Sequence, residues 1–249
     1  MELQTVIICV LAGFLAGVIN TVAGSGSVIT LSLLTFLGLP ANIANATNRV
    51  GILFQSATGT LKFHQAGMFR DNNSWKIVLV TTLGAVFGSV LATQMDPKQV
   101  EVAVGIIFIG LFFVLLFKPE KKLKHSVLFK KMMPAAMMLV GFYAGFIQAG
   151  SGVFMLTIMS VVWQKKRSEL NPIKVLIFFC INIVALGWFA YVGDVNWEVG
   201  ILLAIGQFLG AFAGVRLNNS KKNIEPQLRV LLLVLVVISI FKFFGVFEL

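Results

Sequence analysis

Arg49 and Lys174 are the two residues in this sequence whose chemistry most needs a partner. Each lies inside the start of a long apolar segment, and each holds the same place in a repeated pattern. Asn45-Ala46-Thr47-Asn48-Arg49-Val50 is echoed by Leu170-Asn171-Pro172-Ile173-Lys174-Val175. The acidic residues do not follow them to that depth. Glu2, Asp71, Asp96, Glu101, Glu120, Glu169, Asp194, Glu198, Glu225 and Glu248 fall in breaks between segments or within about two turns of a segment end. A buried cation is costly unless something neutralises it. An anion is the natural partner, and the competing reading is that both side chains snorkel to a lipid headgroup.

Two glycine turns suit the same chemistry. Gly24-Ser25-Gly26 and Gly150-Ser151-Gly152 each interrupt an apolar stretch. Glycine frees the backbone from helical geometry, and the N–H groups at a following helix start attract negative charge. The hydroxyls of Ser25 and Ser151 and the amides of Asn20 and Gln148 add neutral donors. Asn48, Gln55 and Asn182 are further polar candidates inside the third and eighth segments. Against this stand two plainer roles, close packing for the glycines and helix-to-helix ties for the amides.

The elements that must position these residues are membrane helices. Of the 249 residues 58% are hydrophobic and only 12% charged, and the mean hydropathy is +0.92. A soluble globule of that composition lacks the polar material to cover its surface. Ten apolar segments are legible: Thr5 to Ala23, Ser27 to Leu37, Ile43 to Phe63, Trp75 to Ala92, Val100 to Phe117, Met132 to Ile147, Val153 to Trp163, Ile173 to Val192, Trp197 to Leu217 and Leu228 to Phe247. Most approach the ~20 residues a helix needs to cross a bilayer. The second and seventh are too short, so each pairs with its predecessor as a broken or re-entrant hairpin.

The net charge of +10 collects in the short breaks, which is a topology signal rather than a nucleic-acid surface. Breaks carrying Lys62, Arg70 and Lys76, the cluster from Lys118 to Lys131, Lys165 to Arg167, and Arg216 with Lys221 and Lys222 are assigned to the cytoplasm. Pro40-Ala41-Asn42, Asp96-Pro97-Lys98 and Gly193 to Asn196 then lie outside, as do both termini. Trp75, Trp163 and Trp197 sit at segment ends as interfacial anchors. Cys9 and Cys180 read as small core residues.

The chain also repeats. Gly13-Phe14-Leu15-Ala16-Gly17-Val18-Ile19-Asn20 returns as Gly141-Phe142-Tyr143-Ala144-Gly145-Phe146-Ile147-Gln148, and Gly84 and Gly88 return as Gly210 and Gly214. Five segments per half is odd, so the second half enters from the opposite side. The expected fold is all-α and integral to the membrane: a first repeat over 1–117, a basic linker over 118–131 and a second, inverted repeat over 132–249. Such repeats hold substrate at their interface near the midplane.

These paired Gly-Phe-x-Ala-Gly and Gly-Ser-Gly motifs, with the Asn-Arg-Val and Ile-Lys-Val companions, resemble the TauE/SafE family of sulfite and organosulfur anion exporters across essentially the whole chain. The resemblance implies transport of a small anion across a bacterial cytoplasmic membrane, with no cofactor. The lipid bilayer and the anion are the expected partners, nucleic acid is not, and a homo-oligomer stays open. A metal carrier would want buried carboxylates or clustered His and Cys. An intramembrane enzyme would want a histidine or paired aspartates at depth, and His64 and His125 lie in or beside breaks. A structural subunit would have no use for duplicated polar sites.

Overall fold

The computed structural model describes residues 2–69, 74–117, 127–220 and 225–243. Regular structure among them is helical throughout: α1 (Leu3–Val22), α2 (Ser27–Phe36), α3 (Ala41–Gln65), α4 (Trp75–Gln94), α5 (Pro97–Phe117), α6 (Val127–Phe146), α7 (Ser151–Trp163), α8 (Arg167–Val192), α9 (Trp197–Asn219) and α10 (Glu225–Phe243). Five of these, α1, α4, α5, α8 and α9, are long and apolar enough to cross a membrane. Leu79, Leu83 and Phe87 on α4, Leu139 on α6 and Ile201 and Ile205 on α9 stand exposed. Water would not tolerate an apolar belt of that extent. This is an integral membrane protein. Arg70, Lys118, Lys121, Lys122, Lys124, Lys221 and Lys222, on which the orientation of the chain partly rests, lie outside the described residues.

Most boundaries fall within a few residues of the apolar segments. The eighth differs most, because α8 opens at Arg167 rather than Ile173 and so carries Pro172 inside it. A proline there removes the bond that residue 172 would donate to the Ser168 carbonyl. That carbonyl instead accepts from Asn218 Nδ2 at 3.2 Å, so the helix runs on through its proline. Likewise α6 opens at Val127, within the stretch expected to be linker.

Small residues set the helix packing. A β-carbon on Gly13 or Gly17 of α1 would strike Leu203 and Gln207 of α9, and one on Gly210 would strike Phe14. Gly84 and Gly88 of α4 meet Met138 and Phe142 of α6 in the same way. Residue numbers rise together in both pairs, so α1 runs parallel to α9 and α4 parallel to α6. Thr47 Oγ1 accepts from Asn196 N, and Phe63 shares a cluster with Val215, which makes α3 parallel to α9. Between α3 and α8 the order reverses: Arg49 faces Phe189 while Gly59 faces Val175. Exchanging the first five helices for the last five maps α1–α9 onto α6–α4, α3–α9 onto α8–α4, α1–α2 onto α6–α7 and α2–α3 onto α7–α8, and every one of these pairs is in contact.

Candidate functional site at the two helix breaks

The chain leaves α1 at Val22 because Gly24 takes φ +81°, and it enters α7 from Gly150 at φ +76°. Both are left-handed conformations that a β-carbon disfavours. The two breaks meet each other. A β-carbon built on Gly24 would stand 2.7 Å from Gly152 Cα, and one on Gly152 would stand 2.5 Å from the Gly24 carbonyl oxygen. Main chain therefore lies directly on main chain where the halves touch.

A helix that ends inside a protein leaves its last carbonyls without intrahelical donors, and the dipole gathers negative charge there. Neither α1 nor α6 carries a basic residue in its last turn. The donors come from the other half. Lys174 Nζ donates to Asn20 O at 2.6 Å and Thr21 O at 2.9 Å, and Asn171 Nδ2 donates to Val22 O at 2.9 Å. At the second break Arg49 donates from Nη1 to Ala144 O at 3.0 Å and from Nη2 to Gly145 O at 2.6 Å. Asn45 Nδ2 donates to Phe146 O at 2.7 Å. Three successive carbonyls are thus occupied at each break, by a cation and an asparagine three or four residues apart on one helix face. Each cation caps the broken helix of the opposite half.

Both cations are wholly buried, Arg49 at the ninth residue of α3 and Lys174 at the eighth of α8. Neither side chain reaches a headgroup in this arrangement. Nor are their donors idle, as the lack of deep carboxylates first suggests. Lys174 spends its third N–H on Asn171 Oδ1 at 2.9 Å, whereas Arg49 adds Gln148 Oε1 at 3.2 Å, stacks over Phe189 at 5.0 Å and keeps Nε free. Carbonyl dipoles orient a cation but carry no net charge, and among the described residues neither cation has a carboxylate partner. Two positive charges without a carboxylate partner among the described residues therefore face each other's half in a buried interior. Among the described residues there is also no group of His, Cys, Asp and Glu that could hold a metal.

The family model described as Sulfite exporter TauE/SafE matches residues 9–243. The chain belongs to this family. A TauE/SafE assignment also agrees with its curated relatives. It is 30% identical over 236 residues to "Probable membrane transporter protein ORF9" of Sinorhizobium sp, covering 91% of this chain and 88% of that one. It is 26% identical over 244 residues to a "Probable membrane transporter protein" of Haemophilus influenzae, covering 93% and 92%. With "Probable membrane transporter protein YfcA" of Escherichia coli K12 it shares 30% over 222 residues, covering 86% and 81%.

Within this TauE/SafE chain the breaks gather Asn20, Gly24, Ser25, Gly26, Arg49, Gln148, Gly150, Ser151, Gly152 and Lys174. Gln55 joins them by donating from Nε2 to Thr21 Oγ1 at 3.1 Å. Asn48 is turned instead to α2, accepting from Thr30 Oγ1 at 2.6 Å. Asn182 bonds back to its own helix at Phe178 O, 2.7 Å away. The start of α2 offers fewer free donors than a bare helix end. Ser27 N–H bonds to Asn20 Oδ1 at 3.3 Å, and those of Val28 and Ile29 bond to Ser25 O and Gly26 O. The asparagines Asn45 and Asn171 had no place among the candidates, although each lies one turn before a cation. A cavity of about 460 Å³ opens elsewhere, among Ala57, His64, Trp75, Ile173, Leu176 and Phe179, and none of the candidates lines it.

The two serines, alike in sequence, are placed differently. Ser151 Oγ donates to Gln148 O at 2.8 Å, whereas the buried Ser25 Oγ has no partner. Ser25→Ala should therefore leave the substrate-free Tm within a degree or two. Where a bound anion accepts from that hydroxyl, the change should reduce anion-induced stabilisation by about 1.5–3 kcal/mol, the range for a hydrogen bond to a charged group. Ser151→Ala should do the reverse, lowering the substrate-free stability by about 1 kcal/mol and leaving affinity alone. Thermal unfolding with and without sulfite reads both, and equal behaviour of the two variants would contradict the assignment.

Proposed function

We propose that this chain carries a small anion, a sulfur oxyanion or an organosulfonate, across the bacterial cytoplasmic membrane by alternating access. The observation that carries the reading is the pair of buried cations, each without a carboxylate partner among the described residues, at the ends of two broken helices. The family description names sulfite, and two buried cations without a carboxylate partner among the described residues favour an anion over any cation. Arg49 Nε, Gln148 Nε2, Asn20 Nδ2 and Ser25 Oγ are buried polar atoms with no partner, and they would supply neutral and charged donors to it.

The halves are read as inverted repeats, with α1–α2 and α6–α7 as re-entrant or broken hairpins. Supporting this, Trp188 of α8 donates to Thr93 of α4 while Ile173 shares a cavity wall with Trp75, so α4, α6 and α8 run one way and α1, α3 and α9 the other, with α1 opposing α6, α3 opposing α8 and α4 opposing α9. Because each cation grips the other half's helix end, rocking of the halves has to exchange carbonyl partners for something else. A substrate anion is the group best able to take the guanidinium over as the carbonyls let go. With no carboxylate at depth among the described residues, facilitated diffusion or movement with the substrate's own proton fits better than an Asp/Glu relay.

Purified protein in liposomes, assayed for flux of sulfite, methanesulfonate, chloride and potassium, tests the reading. Sulfite or methanesulfonate should move at rates well above protein-free vesicles, and potassium should not. Flux restricted to potassium, or sulfite flux no faster than through protein-free liposomes, overturns it. Chloride moving as fast as sulfite would keep an anion carrier but remove the sulfur specificity.

A further inference from the structure

Gln207 lies in the middle of α9, wholly buried, and neither its Oε1 nor its Nε2 has a hydrogen-bond partner. A buried amide unmatched at both ends is unfavourable, and a leucine would fill the same space without that penalty. Its position connects it to the breaks. Its main chain backs onto Gly17, one turn before the Asn20 and Thr21 carbonyls held by Lys174, and its amide fills the space that a β-carbon on Gly51 would claim. Gly51 follows Arg49 by two residues on α3. Gln55, one turn further along that face, bonds Thr21 through Nε2 and leaves its Oε1 unmatched. Asn20 Nδ2, on the adjoining turn of α1, is unmatched as well.

The set is not uniform in kind. It offers donors, Asn20 Nδ2 and Gln207 Nε2, but also acceptors, Gln207 Oε1 and Gln55 Oε1. Turning the Gln207 amide over exchanges its two ends and still leaves one of each. An oxyanion without a proton can only accept, and it would leave the acceptors unmatched and face carbonyl oxygens of like polarity. An anion with an O–H or N–H of its own satisfies both.

We infer that Gln207 is a specificity-determining residue of the site, favouring anions that carry a hydrogen-bond donor: a protonated oxyanion, or a sulfonate bearing a hydroxyl or amino group. The inference rests on the anion-transport reading above and adds to it the residue that discriminates among anions. No charge or bond changes in the step. The amide turns its acceptor to the donor on the ligand and its N–H to a ligand oxygen.

Ethanesulfonate and 2-hydroxyethanesulfonate differ by a single hydroxyl and serve as the probes, with affinity read from ligand-induced shifts in Tm of the purified full-length protein. The wild type should bind the hydroxylated probe about tenfold more tightly or better, since sites built to pair a hydroxyl reject the analogue that lacks it. Gln207→Leu should bring the two within about twofold of each other, chiefly by weakening the hydroxylated probe. Gln207→Met serves if the leucine variant does not fold, and Gln55→Met should narrow the ratio in the same direction. A wild-type ratio near one, or a ratio that survives in a folded Gln207 variant, overturns the inference: the amide then holds a buried water only, while anion binding stands. If neither sulfonate nor sulfite shifts the wild-type Tm, the transport reading fails and takes this inference with it.

Discussion

Gly24→Ala should lower the stability of the protein by about 3–5 kcal/mol, far more than the same change at a left-handed glycine with open space around it. Two effects add. An L-residue held at φ +81° is strained by about 1–2 kcal/mol. Crowding a packed interior adds typically about 1–3 kcal/mol. Here the upper end applies, because the obstacle is the main chain of Gly152, which has no rotamer to change. Gly38 separates the two contributions. It sits at φ +84°, and a β-carbon added there would meet nothing within 4 Å, so Gly38→Ala should show the strain alone, about 1–2 kcal/mol. Gly152, inside α7 and without a left-handed φ, tests the other partner of the contact, and Gly152→Ala should show the crowding alone, about 2–3 kcal/mol. Thermal unfolding in detergent, at matched lipid content, measures all three. A loss at Gly24 no larger than at Gly38 would mean that the breaks do not bear on each other.

Arg49→Met should abolish anion flux, and here too the expected effect is large. Methionine keeps much of the length and apolar bulk of the stem but removes every donor. Ala144 O, Gly145 O and Gln148 Oε1 then lose a partner, at about 1–3 kcal/mol for each acceptor left unsatisfied. Removing an unbalanced buried cation offsets part of that, since the charge itself is costly to desolvate. The net loss of fold stability should therefore be moderate, near the cost of a single lost acceptor. Binding has no such offset. Loss of a desolvated charged partner weakens association by about 2–5 kcal/mol, enough to take flux in liposomes below detection. Arg49→Lys preserves the charge and should keep measurable flux, because a lysine at the equivalent place on α8 caps its carbonyls. Wild-type flux in a folded Arg49→Met protein would reduce Arg49 to a structural cap.

Composition and block length made the membrane and the helical segments legible, since no other solvent suits such long apolar runs. The recurrence of Arg49 and Lys174 was equally plain. Which groups they touch was not. A repeat aligns a residue with its counterpart, and gives no indication that each serves the other's half. Ala41 and Arg167 open their helices before the apolar runs begin, so Arg49 and Lys174 lie further into α3 and α8 than the run boundaries alone indicate. The eighth apolar run begins only after Pro172, and Asn218, distant in sequence, supplies the donor to the Ser168 carbonyl that lets α8 run through the proline. Gln207 left one faint sign, a lone amide in the apolar middle of α9. Its unmatched ends become visible only when the neighbouring side chains are in place.

The crossed capping has a consequence for how the molecule comes apart. Were the first five helices to separate from the last five, the end of α1 would lose Lys174 and Asn171 while Arg49 would be left as a bare cation in lipid. The other side would suffer the mirror of this, with the end of α6 uncovered and Lys174 stranded. Neither half should therefore stand alone as a folding unit, and unfolding of one should remove the grounds for the other to persist. The chain should melt as one cooperative body, with no intermediate in which a single half survives.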